Sequence, residues 1–278
     1  MVTIVNQRQS LSRGRLELPG LSHIWGSRTL IMGIINATPD SFSGDGLLDC
    51  EAALALARRH LEEGADILDI GGESTRPGHK KVSESEELAR VLPILQKISQ
   101  ELSAPISLDT TKAAVASAGG HILNSVQGIS DELLAVAVRR DLPVVIMHNK
   151  AKAEYQGDVM DEVLSFLSDH AAKAERAGLK REQIILDPGI GFGKLPAHSI
   201  RVLSQLERLV ALGYPTLIGT SRKSFIGHIT GQPVEKRVFG TAASLALAIA
   251  AGIDIVRVHD VAAARDVVQV SDAIVRVS

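Results

Sequence analysis

A single cysteine, Cys50, occurs in the 278 residues, so no intrachain disulfide can form and no second thiolate is present to build a metal site. Cys50 reads as a small buried hydrophobe on a helix. Aromatic residues are scarce, at 3%. A core must therefore be built from Val, Ile, Leu and Ala, the stock of aliphatic strands and Ala-rich helices. Charge of one sign is also lacking. The formal net charge is -2 and no Lys/Arg-rich run occurs, which excludes the basic footprint of a nucleic-acid partner. No stretch reaches the roughly 18 apolar residues of a membrane span. Residues 1–15 carry scattered Gln, Asn, Arg and Ser where a signal peptide would have an apolar core. A cytoplasmic protein with no membrane partner is expected.

Against these absences, 45% of the residues are hydrophobic and 22% charged, enough apolar side chains for a large core. From residue 30 onward one pattern repeats. A short aliphatic run is followed by polar or Gly-rich residues and then by a helical stretch. The runs are 30–36, 66–71, 105–110, 121–126, 143–148, 184–189, 216–221 and 255–260, each apolar enough to be a strand buried on both faces. The clearest helical patterns are 50–63, 84–101, 158–178 and 234–251. Gly64, Gly178, Gly213 and Gly252 fall where helices should end. Eight strands alternating with helices imply a parallel α/β sheet, and eight is the number that closes a (β/α)8 TIM barrel. An open doubly wound sheet is the runner-up, but no GxGxxG follows the first run. The expected organisation is one barrel domain. Residues 30–278 form the barrel, and the extension 1–29, with Pro19, Gly20 and Gly26, forms a hairpin or lid beneath it.

In a barrel, chemistry gathers at the C-terminal strand ends. Those ends read Asn36, then 71–77, then Asp109-Thr110, Asn124, Met147-His148-Asn149, Asp187-Pro188-Gly189, Ser221-Arg222-Lys223, and Arg257 with His259. Every strand delivers a polar group to one rim, although unpaired buried polar groups cost about 1–3 kcal/mol each. The set has two chemical halves. Asp109, Asn124 and Asp187 suit the donor-rich edge of a heterocycle, since a carboxylate accepts two N–H donors and an amide both donates and accepts. Arg257, His259 and Asn36 suit a phosphate or diphosphate. Lys223 could face either half.

Each residue also has a plainer reading. Asp109 could cap the next helix, and Asp187-Pro188-Gly189 could be turn chemistry alone. Gly189, Gly191 and Gly193 lack the Walker A spacing. Arg222-Lys223 could be a solvated pair and His259 a satisfied rim histidine. His148 receives no role, and no histidine shows metal-ligand spacing with another His or Cys.

Five strings, in order, resemble the signatures of dihydropteroate synthases. They are Asn36-Ala37-Thr38-Pro39-Asp40-Ser41-Phe42-Ser43, the stretch from Asp69 to Gly78, the stretch from Asp187 to Lys194, Thr220-Ser221-Arg222-Lys223-Ser224, and Arg257-Val258-His259-Asp260. The resemblance implies condensation of 6-hydroxymethyl-7,8-dihydropterin diphosphate with p-aminobenzoate, by an SN1-like path. It implies that Asp109, Asn124, Asp187 and Lys223 bind the pterin, with Met147, Phe192 and Gly219 lining its slot. Asn36, Arg257 and His259 would hold the diphosphate, with Mg2+ near Asn36. Thr75, Pro77, Lys223 and Ser224 would surround p-aminobenzoate, and pocket residues such as Phe42, Thr75 and Pro77 would govern the response to sulfonamides. Arg76 shares the second loop, while Ser221 and Arg222 receive no role. Residues 38–46 and 74–81 would be lids, and a homodimer would form through the late helices.

Some features depart from the resemblance. Asp109 and Asn124 are about one helical turn closer than in the family, so the helix at 112–118 should be very short and a groove is expected beside it. Ser125 stands where an Asp is usual, and Phe239 precedes Gly240 where a smaller or acidic residue is expected. Two other functions fit the same fold. One is a methyltetrahydrofolate:corrinoid methyltransferase, which would need no diphosphate site. The other is a non-catalytic pterin-binding barrel.

Overall fold

The computed structural model of the chain describes residues 13–37, 46–73 and 82–276. Two short strands, β1 (Arg15–Leu18) and β2 (Leu21–Ile24), pair antiparallel around a turn at Pro19-Gly20. This is the hairpin expected ahead of the barrel. The barrel strands follow: β3 (Leu30–Asn36), β4 (Ile67–Gly71), β5 (Ile106–Asp109), β6 (Ile122–Ser125), β7 (Val144–Met147), β8 (Ile184–Asp187), β9 (Leu217–Ile218) and β10 (Ile255–Val258). They are hydrogen-bonded in the order β8-β7-β6-β5-β4-β3-β10-β9, all parallel. A parallel bridge between Leu186 and Thr216 brings β8 to β9 and closes the ring.

Among the described residues, ten α-helices lie between and after these strands: α1 (Gly46–Glu62), α2 (Glu84–Glu101), α3 (Ala113–Ser117), α4 (Asp131–Arg140), α5 (Val159–Arg176), α6 (Pro196–Leu203), α7 (Leu206–Val210), α8 (Ser224–Thr230), α9 (Val238–Ala251) and α10 (Val261–Val275). Their starts are written locally. The side chains of Ser83, Ser130 and Asp158 accept hydrogen bonds from the N–H groups of Glu86, Leu133 and Met160, satisfying donors that the first helical turn leaves orphaned. Gly252 ends α9 at φ +102, a left-handed conformation that a side chain would disfavour. The helical pattern 234–251 divides in two because Pro233 begins a separate 3-10 turn, Val234–Lys236, and the α-helix starts only at Val238. The run 216–221 contracts to Leu217–Ile218, because the chain turns at Thr220, whose carbonyl accepts from the N–H of Lys223 at 3.2 Å.

The twofold period of a strand explains how the barrel carries chemistry. Leu30, Met32, Ile67, Ile122, Val145, Ile185, Leu217 and Ile255 form one apolar cluster inside the barrel, sealed from below by Leu16 and Trp25 of the hairpin segment. Two residues further along the same strands stand Asp69 after Ile67, Asn124 after Ile122, Met147 after Val145, Asp187 after Ile185 and Arg257 after Ile255. The inner face thus changes from hydrocarbon to polar groups within one layer.

After β5 the chain forms only the five-residue α3, as short as expected, and a cavity lined by Thr110, Thr111 and Lys112 opens at its start. Arg140, at the end of α4, donates to the carbonyls of Ala116, Gly119 and Gly120 at 2.6–3.1 Å. These bonds satisfy the carbonyls at the end of α3.

Candidate active site

The strand-end carboxylates converge on Arg257. Its Nε donates to Asp69 Oδ2 at 2.6 Å, and its Nη2 donates to Asp109 Oδ2 at 2.9 Å. Asn124 Nδ2 donates to both oxygens of Asp69 at 3.3 Å. Asp69, Asp109, Asn124 and Asp187 are all buried, and Arg257 and Lys223 are partly so. Two carboxylates around one guanidinium leave the floor of the site with excess acceptor capacity facing the rim. Beside Asp109 a cavity of about 180 Å3 opens, bounded by Glu73, Glu87, Thr110, Lys112, Gln127 and Asn149 among others.

Burial sets the protonation behaviour. It raises the Asp109 carboxyl to about 7 against the pull of Arg257. It raises Asp187 to about 6, opposed by the N–H of Gly189, which donates to Asp187 Oδ1 at 2.7 Å. Asp187 is therefore a turn residue as well as a rim carboxylate. Lys223 falls to about 8 through burial and the neighbouring Arg257. Its Nζ lies 4.0 Å from the centre of the Phe192 ring, joining two residues expected in one slot. Burial and Arg257 lower His259 to about 4, so at neutral pH it is an uncharged imidazole, with Nδ1 3.1 Å from Ser221 Oγ.

The expected division into two halves is therefore modified. Arg257, expected with the diphosphate, bonds Asp69 and Asp109 and so sits against a carboxylate expected on the other half. His259 adds a hydrogen-bonding ring without charge. Asn36 is half-buried at the end of β3, opposite Gly71 in register. Met147 is buried, and Gly219 lies beside Arg257, where an added Cβ would come 3.9 Å from the Arg257 Cβ. Ser224 is exposed at the first turn of α8. Residues 38–45 and 74–81, which include Phe42, Thr75, Arg76 and Pro77 and most of both expected lids, lie outside the described residues.

The family profile described as "Pterin binding enzyme" matches residues 32–259. The dihydropteroate synthase of Synechocystis sp. is 47% identical over 266 residues, covering 91% of this chain and 92% of that protein. The crystal structure of Xanthomonas albilineans dihydropteroate synthase with 4-aminobenzoic acid superposes with a TM-score of 0.89 at 42% identity, over 96% of this chain and 100% of that one. The same enzyme in complex with 7,8-dihydropteroate gives 0.86 at 40% identity, over 95% and 100%. The chain belongs to the dihydropteroate synthase family.

As a dihydropteroate synthase it is a transferase, and the reading made from the five strings stands above the corrinoid and non-catalytic alternatives. Two residues of the site escaped the sequence. Asp69 lies within a signature string but received no role. The available signal was a carboxylate two positions after Ile67 inside an apolar strand, where only a paired charge is tolerable. Lys194 closes another string. It is buried, its Nζ is 2.8 Å from His148 Nδ1 and donates to the Phe192 carbonyl at 3.2 Å, and burial lowers it to about 7. His148, given no role from sequence, thus anchors the turn that carries Phe192.

These values give a pH expectation. With Asp187 and Asp109 read as ionised acceptors for a donor-rich substrate, kcat/KM should rise with pH through 6 to 7. Lys223 loses its charge as pH passes about 8, so kcat/KM then declines. A profile of kcat/KM against pH should be bell-shaped with its maximum between these limbs. A flat profile from pH 5.5 to 9 would refute the roles given to these groups.

Proposed function

We propose that the barrel rim holds the dihydropterin through Asp109, Asn124, Asp187 and Lys223, in a slot lined by Met147, Phe192 and Gly219. The observation that carries this reading is the buried cluster in which Arg257 joins Asp69 and Asp109 while Asn124 binds Asp69. Diphosphate departs from the methylene carbon attached to the ring, and positive charge spreads into the pterin. Ionised Asp109, pre-fixed by Arg257, faces that charge without reorganising. Arg257, His259 and Asn36 lie on the diphosphate side, with Arg257 spanning both groups. The aniline nitrogen of p-aminobenzoate then attacks the carbon near Lys223 and Ser224, with Phe42, Thr75, Arg76 and Pro77 contributed by the two loops.

Among the described residues, no group of three His, Cys, Asp or Glu side chains could hold a metal unaided. The amide oxygen of Asn36 is a hard donor suited to Mg2+, and substrate diphosphate oxygens and water would complete the shell. When bound, the ion neutralises charge on the leaving group. The experiment that tests the reaction is diphosphate release from 6-hydroxymethyl-7,8-dihydropterin diphosphate. Release that depends on p-aminobenzoate and yields dihydropteroate supports it, and tight pterin binding without release overturns it.

We also propose that the chain works as a cytoplasmic homodimer. Residues 238–251, which form α9, contain no charged side chain. Phe239 and Leu247 on α9 are 84% and 73% exposed, and Val270 and Ile274 on the adjacent α10 are 61% and 71% exposed. Exposed apolar side chains on two helices packed together favour a second copy. Leu247→Asp should convert the dimer to a monomer in light scattering at micromolar concentration. An unchanged mass, or a monomeric wild type, would remove α9 from the interface.

A further inference from the structure

Arg222 is one of two described residues other than glycine with positive φ, at +59. The other, Asp141, merely ends α4. A long side chain keeps a left-handed backbone only where its surroundings over-determine it, and such residues gather at functional sites. Here the surroundings are explicit. The Arg222 N–H donates to Thr241 Oγ1 on α9 at 3.1 Å. Its carbonyl accepts from Arg237 Nη1 at 3.0 Å. Its guanidinium makes a two-pronged ion pair with Asp260, with Nε 2.9 Å from Oδ2 and Nη2 on Oδ1.

This pair joins the two turns that carry Lys223 and His259. Arg222 stands between Ser221 and Lys223 after β9, and Asp260 follows His259 after β10. A second link runs parallel to it, because the His259 N–H donates to Ser221 Oγ at 3.2 Å. Arg237 also reaches the Lys223 carbonyl at 3.4 Å. The strained residue is thus held from three sides, and Lys223 leaves it directly toward Phe192. A lone, partly exposed ion pair contributes little. This one is bidentate, and its function is geometric.

We propose that Arg222 and Asp260 are a pair of positioning residues for the transfer reaction: they clamp the β9 and β10 turns together, hold Arg222 in its strained backbone, and thereby fix Lys223 and His259 relative to one another. Neither is a substrate ligand. This inference rests on the reaction proposed above.

The test compares Arg222→Gly, Asp260→Asn and the double variant, measuring kcat, KM for each substrate and melting temperature. Glycine takes φ +59 without strain, so Arg222→Gly keeps the turn accessible while removing the clamp. Arg222→Asn, which also tolerates this region, serves if glycine loosens the fold. Each single variant should lose about 10- to 100-fold in kcat, the scale of a misplaced catalytic group, and the double variant should be no worse than the poorer single. KM for the pterin diphosphate should rise in parallel in the two single variants, because both displace Lys223 and His259, and Arg222→Gly should not melt earlier. Wild-type kcat in both single variants overturns the clamp. So does a raised KM for the pterin diphosphate in Arg222→Gly alone with normal Asp260→Asn, which would make Arg222 a direct anion ligand. Wild-type turnover in the same assay separates the two levels. If it is absent, the reaction assignment fails, and if it is present, unaffected variants overturn the positioning role alone.

Discussion

Asp109→Asn should lower kcat/KM about 10²- to 10³-fold, the scale of removing one preorganised electrostatic contact to a transition state. The replacement is nearly isosteric and retains a carbonyl oxygen for Arg257. It removes the negative charge that faces the developing cation. Stability should change little. The floor of the site holds two carboxylates around one guanidinium, and Arg257 keeps Asp69 at 2.6 Å when the charge on Asp109 is gone. Steady-state kinetics beside a thermal melt check both halves of the expectation. Turnover equal to wild type would refute the electrostatic role, and a collapse in melting temperature would assign Asp109 to structure instead.

Arg257→Ala acts in the opposite way. Asp69 is fully buried, and its remaining amide partner is Asn124. Removing Arg257 leaves Asp69 and Asp109 close together with no guanidinium between them. Stripping one partner from a buried ion pair costs about 3–5 kcal/mol. Urea unfolding should therefore show a large loss of stability. Below that transition, affinity for the pterin diphosphate should fall well beyond the loss for a pterin without phosphates, because the guanidinium also serves the leaving group. Equal losses for the two ligands would remove Arg257 from the diphosphate side and leave it a structural counter-ion. An unchanged urea midpoint would contradict the ion-pair account.

The contrast between these two variants shows which parts of the site a sequence can reveal. Strand ends announce themselves, since a polar group closing an aliphatic run must be paired or put to use to offset its desolvation. That is how Asp109, Asn124, Asp187 and Arg257 could be found one by one. Their mutual contacts could not be. Asp69 and Arg257 are 188 positions apart, and only ring closure brings β4, β5, β6 and β10 around a common centre. Arg257 was thus expected with the phosphate and was found between carboxylates. His259 was grouped with anion-binding residues because a histidine at a rim reads as a potential cation. Its neutrality comes from burial and from Arg257 two residues away, which only the folded chain supplies. The eight strands were legible because each is a short run bounded by turn residues. The break ahead of α9 is also written in the chain, at Pro233, but helical periodicity on both sides conceals it.

Arg140 shows how the barrel accommodates a very short helix. The end of so short a helix leaves carbonyl oxygens that the helix itself cannot satisfy. One planar side chain from the neighbouring helix meets three of those oxygens. The end of α3 is thereby tied to α4 on the outer wall, while Asp109 and Asn124 stand side by side as register partners on adjacent strands. One guanidinium finishes the wall, and backbone register alone keeps the two rim side chains adjacent.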